Sequence, residues 1–424
     1  MTDKNLTLEQ EQEQVSVESA EEQTVPAAPR KSFQLTLNHI LWGAGILVFL
    51  VGSIGLFQRF TEGLRPTSLG SYVPWGLWVA AYEYLVWLEV GSLLVFTSLV
   101  YIFKWPKILS RMAPTLYLTA LAILSMALIM IGLDLGHPFR FWHVLVWPQW
   151  GSMLTWMIIA HMVYMLVLLG KLALELLPYR PIFKPISKWL SIISMPMGIA
   201  LVVIAGSVFG VVMGRPSWQG SGLPVLFLVS ALVAGTGLLT FQFIWFMRDR
   251  SGQYLELARR LGKLLLAFLV INLMVTVLSS FVILYPGVPA QSTALHLTMF
   301  GPYWWLFWVV YLGFGIVVPI ILLLTQTQTA RRIGVAAGLL ITTFFAVSLN
   351  IVIPTQLAIN AVERDLVTAF QGPGLRAEYF PSANEWLVTL FALAFGYLVF
   401  LFGFTVLRLR PHPHVETPAE EASK

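Results

Sequence analysis

The chain has 424 residues, of which 57% are hydrophobic and only 11% charged. Soluble domains carry about 25% charged residues, so this composition excludes one and requires an integral membrane protein. Cysteine is absent, which excludes a Cys-held iron–sulfur cluster, a disulfide or a Cys-based metal site on this chain.

Residues 1–38 are rich in Glu and Gln and poor in aromatics, the composition of a disordered acidic tail. They lack the basic start and short apolar core of a cleaved signal peptide. Apolar stretches then recur at about 40–57, 75–103, 113–133, 152–174, 189–213, 223–246, 264–284, 302–325, 333–353 and 386–407. Each is long enough for a spanning helix and lacks the short alternation of barrel strands. The expected fold is an all-α polytopic membrane protein of about ten transmembrane helices within residues 39–410, followed by a tail at 411–424. Between Leu264 and Ala330 there is no Asp, Glu, Lys or Arg, yet Tyr285-Pro286-Gly287-Val288-Pro289 divides that run in two. Pro196 and Pro319 fall inside spans and should kink them.

The formal charge of +5 is a topology signal, with no patch suited to nucleic acid. Of the 26 Lys and Arg residues, only six lie on one of the two alternating sets of loops: Arg59, Arg65, Arg140, Arg215, Arg364 and Arg376. Both termini are therefore expected in the cytoplasm, with loops 134–151 and 354–385 outside. Trp75, Trp78, Trp142, Trp147, Trp150, Trp304 and Trp305 gather at the predicted outer ends. They read as an interfacial aromatic belt, or alternatively as cofactor-stacking rings.

Glu83 and Glu89 are the only acidic side chains well inside a span. A carboxylate in hydrocarbon costs several kcal/mol, so it needs a water-filled cavity, a partner or a proton. Glu83 lies about 12 Å inside the outer end of the second span and Glu89 about 9 Å deeper, separated by about 120° around the helix. They are either stops on a proton path or protonated hydrogen-bonding glue between helices. His161, at a depth similar to Glu83 on the fourth span, is a further proton-path candidate or a packing histidine. Asn272, Gln242 and Asn350 read as interhelical hydrogen-bonding residues.

The third span ends in Asp134-Leu135-Gly136-His137-Pro138-Phe139-Arg140-Phe141-Trp142, which sets an acid, an imidazole and a guanidinium at the outer boundary. A quinone headgroup needs hydrogen bonds to its two carbonyls, a proton exchanger and an apolar slot for its tail. This segment could supply all three. Alternatively, Asp134 and Arg140 cap the helix and pair with each other while His137 faces lipid headgroups. A membrane b-haem normally takes two deep histidines at matched depth; only His161 of the seven is deep, so haem is not expected.

Tyr72-Val73-Pro74-Trp75-Gly76-Leu77-Trp78, then Asp134-Leu135-Gly136-His137-Pro138, then Gly151-Ser152-Met153 resemble the polysulfide reductase/NrfD family. Tyr379-Phe380-Pro381-Ser382-Ala383-Asn384-Glu385-Trp386 before the last span is similar to its ten-helix branch, found in membrane subunits of periplasmic hydrogenases and quinone reductase complexes. The motifs touch both ends of the membrane region. The resemblance implies two four-helix bundles, at about 72–213 and 223–354, flanked by helices at about 40–57 and 386–407. It further implies a menaquinone or ubiquinone site in the first bundle near the periplasm, and no redox centre on the chain itself. A ferredoxin-like iron–sulfur subunit is expected on the periplasmic face, with further redox subunits of cytochrome or molybdopterin/hydrogenase type. Many members carry Arg at the position of His137.

The sequence is thus read as a quinone-reactive subunit of a respiratory oxidoreductase in a bacterial inner membrane, inactive alone. Asp134, His137, Arg140, Tyr72 and Trp75 are the candidates for the quinone, and Glu83, Glu89 and His161 for protons. A proton-coupled secondary transporter and a purely structural anchor are the other two classes.

Overall fold

The computed structural model describes residues 37–70, 72–177, 180–247, 252–285, 288–325, 329–358 and 378–406. The acidic tail up to residue 36, most of the loop 354–385 and the C-terminal tail from 407 lie outside the described residues. The chain divides into residues 1–43, described only from the start of the first helix, and residues 44–424, which hold everything below.

Among the described residues ten helices are long and apolar enough to cross a membrane. They are α1 (Leu37–Glu62), α2 (Leu77–Ile102), α3 (Ala113–Asp134), α4 (Met153–Leu174), α5 (Phe183–Gly210), α6 (Gly222–Phe246), α7 (Gln253–Leu284), α8 (Leu306–Leu324), α9 (Ala330–Leu357) and α10 (Ala383–Thr405). No strand occurs among the described residues, so the chain is an all-α multi-pass membrane protein. Helices are forced here because a backbone in hydrocarbon must satisfy its N–H and C=O groups within the segment. Capping agrees with the borders: Ser382 and Glu385 form a capping box at the start of α10, and the Thr329 hydroxyl accepts from Arg332 N at the start of α9.

Two features depart from the expected spans. α7 begins at Gln253, nearly three turns before Lys263, so charged residues extend its inner end. Between α7 and α8 the chain forms an additional short helix, Pro289–Phe300, with Pro at its first turn where the missing N–H costs nothing. Residues 306–317 of α8 and 98–102 of α2 are π-helical.

α2 is the central helix. It packs against α3, α5, α6 and α9, and its membrane window is 78% buried against 11% for α7. α4 packs on α3 and α5, while α7 and α9 pack on α6 and α8 packs on α9. The α2–α6 contact that joins these two sets is close because Gly91 lies against the Ala231 carbonyl and Gly235. Small residues let membrane helices approach at backbone distance, where packing supplies the attraction that water supplies elsewhere. α10 packs on α3, and Phe49 of α1 meets Phe391 of α10 with ring centroids 4.9 Å apart.

The helices alternate in direction. At one end Arg59 of α1 reaches the last carbonyls of α3, Asn384 of α10 donates to Gly55 O of α1, and Trp75 before α2 bonds Gln356 of α9. This end, where α3 stops and α2 and α4 begin, is called the Asp134 end below.

Five of the seven tryptophans, Trp142, Trp147, Trp150, Trp304 and Trp305, are exposed as a belt requires. Trp78 is not. It is buried at 1% exposure and donates from Nε1 to Glu385 O, so it is a packing residue that ties α2 to α10.

Candidate functional site

The Asp134 end is organised by Arg59, a side chain that reads from the sequence as a loop cation. Arg59 is buried at 3% exposure; its Nε donates to Leu133 O at 2.8 Å and its Nη2 to Leu135 O at 2.6 Å. A guanidinium on the last carbonyls of a helix satisfies acceptors that have no intrahelical donor and complements the negative end of the helix dipole. Arg59 thereby fixes the turn after Asp134, and Phe60 stacks on Phe139 at 5.4 Å to hold the same loop. Asp134 lies within electrostatic range of Arg59 and Glu385, and its Oδ1 is buried with no hydrogen-bond partner.

Among the described residues Asp134 forms no ion pair with Arg140; the cation that caps this helix end is Arg59, which lies within electrostatic range of Asp134. His137 opens the short turn Pro138–Arg140, and the side chains of His137 and Arg140 are both exposed. Asp134, His137 and Arg140 therefore share one loop, with the carboxylate turned inward and the two basic groups outward.

Tyr72 and Trp75 belong to a different cluster. Trp75 stacks on Trp218 at 5.4 Å and meets Phe209 edge-on at 5.2 Å, while Arg215 Nη2 donates to Tyr72 O at 2.6 Å. The Trp75 backbone and the Gln356 side-chain amide exchange two hydrogen bonds, at 3.1 and 2.7 Å. No hydrogen bond, ion pair or ring contact among the described residues joins this cluster to Asp134 or His137.

Glu385, part of the Tyr379–Trp386 motif but given no role from the sequence, is a junction. Its Oε1 accepts from Ser68 N at 3.3 Å, and its Oε2 accepts from the Tyr379 hydroxyl and Ser382 N, each at 2.9 Å. Tyr379 in turn accepts from Leu77 N at 2.7 Å, so α2 and α10 begin on one shared network. Burial first, and the nearby Glu385 charge second, push the Tyr379 phenol well above its ordinary range, so it stays protonated as a donor.

Deeper in, α2 carries Glu83 at 2% and Glu89 at 0% exposure. Glu83 Oε2 and both Glu89 oxygens are buried without a hydrogen-bond partner. Neither touches His161. His161 Nδ1 lies 2.8 Å from Met157 O, which can only accept, so this nitrogen carries the proton and Nε2 accepts from the Tyr82 hydroxyl at 3.1 Å. His161 thus meets α2 at Tyr82, the residue before Glu83 in the chain.

Tyr82 and Glu89 are seven residues apart and share a face of α2, as His161 and Tyr164, three apart, share a face of α4. Tyr164 lies within electrostatic range of Glu89 and Tyr117. Tyr117 OH and Ser191 Oγ are 3.2 Å apart, and Lys171 Nζ sits over the Tyr117 ring at 4.7 Å from its centroid. Lys171, which counts as a loop cation by sequence, is buried at 2% exposure and donates to Ser187 Oγ at 2.5 Å and Ser187 O at 3.1 Å. Tyr82, Tyr164, Tyr117, Ser191, Ser187 and Lys171 were not singled out from the sequence. The one available signal was Lys171, a cation inside an apolar helical stretch.

Gln242 and Asn272 behave as expected of interhelical glue. Gln242 Nε2 donates to Thr119 Oγ1 at 2.6 Å, and Asn272 Nδ2 to Ser230 Oγ at 3.0 Å. Asn350 does not: both its amide atoms are buried without a partner. No group of three or more His, Asp or Glu side chains suited to a metal occurs among the described residues.

Comparison with known proteins adds to this geometry. A family model described as Polysulphide reductase, NrfD matches residues 67–360. The chain is 30% identical to a selenate reductase subunit of Mesobacillus selenatarsenatis, over 85% of this chain and 91% of that protein. It is 26% identical to the Hdr-like menaquinol oxidoreductase integral membrane subunit of Archaeoglobus fulgidus, over 89% of this chain and 95% of that protein. It is 22% identical to the menaquinone reductase integral membrane subunit of Nitratidesulfovibrio vulgaris, over 88% and 92% respectively.

Proposed function

Because this chain belongs to the polysulphide reductase NrfD family, we propose that it is the quinone-exchanging membrane subunit of a respiratory oxidoreductase. It passes electrons between the menaquinone or ubiquinone pool and an iron–sulfur subunit docked at the Asp134 end, and it carries protons across the first bundle, about 72–213. The basic-residue count supports an inner-membrane orientation with both termini cytoplasmic, which makes the Asp134 end periplasmic. A ferredoxin-like partner and further redox subunits of cytochrome or molybdopterin/hydrogenase type complete the complex, since a chain without cysteine needs its electron carriers elsewhere.

The observation that carries this reading is the polar row through α2 and α4. At 1.5 Å per residue from Met153, His161 lies about 12 Å and Lys171 about 27 Å from the Asp134 end, so the row covers most of a bilayer. Isolated titratable groups in hydrocarbon are costly, and several placed in sequence across its thickness are the arrangement that a proton path requires.

The residues at the Asp134 end fit a quinone headgroup. Asp134 offers an acceptor, Oδ1, with no hydrogen-bond partner among the described residues, held inward by the turn that Arg59 fixes. His137, three residues on, presents an exposed imidazole that can give or take a proton. Arg140 tunes the charge of the loop, and Tyr72 and Trp75 line the neighbouring entrance to α2. A bound quinone supplies two-electron, two-proton redox chemistry. The chain positions the headgroup, donates and accepts protons at Asp134 and His137, and refills them along His161, Tyr82, Glu83, Glu89 and Tyr164. Glu89 is the mid-membrane station, and Lys171 with Ser187 forms the opposite mouth. Electrons arriving at one face and protons from the other make turnover electrogenic.

The test is co-purification of the complex with analysis of bound quinone, followed by quinone-linked turnover of Asp134→Asn. Partners bearing iron–sulfur clusters, extractable quinone and a variant impaired even in detergent are expected. A complex that carries no quinone and is indifferent to Asp134→Asn would refute the assignment.

A further inference from the structure

Outside the first bundle, α6, α7, α8, α9 and the short helix Pro289–Phe300 surround a cavity of about 600 Å³. Leu223, Leu226, Leu278, Val282 and Ile283 form much of its apolar wall. The polar side chains on it are uncharged, and no carboxylate, imidazole or amine lines it. The volume is that of a typical small-molecule pocket, and an apolar wall with a few convergent polar groups is the usual composition of one.

Asn350 gives the cavity its chemistry. Its Nδ2 and Oδ1 are both buried without a hydrogen-bond partner. An unpaired amide in an apolar setting is costly, a cost relieved by a ligand that presents both an acceptor and a donor. Several of the other polar groups are already committed. Tyr311, on the π-helical stretch of α8, donates to Asn272 Oδ1 at 3.3 Å, so Thr276 donates to the Tyr311 oxygen at 3.2 Å. Asn350 is seven residues from the end of α9, about 10 Å below the Asp134 end.

We propose that this cavity is a second quinone site, one that holds the molecule without reacting it. The inference rests on the quinone-exchanging reading above. A neutral ring with a carbonyl or hydroxyl matches Asn350, and an isoprenoid tail matches the leucine and valine wall. A phospholipid would bring a phosphate into a lining without a cation, and a bare acyl chain would leave the amide unmatched. Without a carboxylate or imidazole on the wall, the site has no proton exchanger; it keeps quinone near the reactive site on the same side of the membrane.

A photoreactive azidonaphthoquinone with a short isoprenoid tail, applied to the whole complex in lipid nanodiscs, tests this. Crosslinks are expected on residues 275–283 and 347–355, competed by unlabelled menaquinone, besides those in the first bundle. Asn350→Leu, which removes the amide, and Ser279→Phe, which fills the cavity from α7, should each lower the 275–283 and 347–355 crosslinks at least tenfold. Complex assembly and first-bundle labelling should stay unchanged in both, and the Tm should fall in neither. First-bundle labelling with a silent cavity overturns the second site alone. So do crosslinks that persist in both variants, or cavity labelling displaced by phospholipid but not by menaquinone. Cavity labelling with a silent first bundle supports the second site and refutes the assignment at Asp134.

Discussion

Replacing Glu89 in two ways separates a proton carrier from structural glue. Both of its oxygens are buried without a hydrogen-bond partner in the middle of the most buried helix. A buried polar group left unsatisfied costs about 1–3 kcal/mol. Leucine has a similar volume and no polar atom, so Glu89→Leu should stabilise the subunit by about that amount. Gln keeps the shape and two orphaned polar atoms, so Glu89→Gln should leave stability within about 1 kcal/mol. Both variants lose the titrating proton, and both should lose proton uptake and membrane-potential generation in proteoliposomes while keeping bound quinone. Stability is read from SDS-induced unfolding of the purified complex, and potential from a voltage-sensitive dye during turnover. If Glu89→Leu is instead destabilised by more than about 1 kcal/mol and Glu89→Gln still generates a normal potential, Glu89 is interhelical glue and the proton row is wrong.

Asp134→Asn should weaken quinone binding or slow electron transfer about tenfold or more in detergent, where no potential exists, as measured by quinone titration. Gly91→Leu places a side chain against the Ala231 carbonyl and Gly235; overpacking of about 1–3 kcal/mol or more should lower the Tm of the complex. Glu385→Ala removes the acceptor of three hydrogen bonds, to Ser68 N, Ser382 N and the Tyr379 hydroxyl. At about 1.5–3 kcal/mol each where a charged acceptor is involved, it should destabilise more than Glu385→Gln, by the same unfolding measurement. A reporter active only outside the cytoplasm should be active when fused after Gly372 and silent after Lys424; the reverse would invert every statement of sidedness.

The number and order of the spans were legible in the sequence, because crossing a bilayer is a local demand on about 20 consecutive residues. The suspicion of Glu83, Glu89 and Asp134 was legible for the same reason, since charge in an apolar run is visible without knowing its neighbours. What those groups meet was not. Arg59 and Lys171 both read as loop cations, and only the packing of α1 on α3, and of α4 on α3 and α5, turns one into a cap beside Asp134 and sets the other over Tyr117. His161 touching Tyr82 rather than Glu83 follows from which faces of α2 and α4 are opposed, which hydropathy does not encode because both faces are apolar. The same holds for Asn350, indistinguishable in sequence from Asn272. One finds a serine across the interface and the other faces a cavity, and that difference exists only once α6 to α9 are assembled.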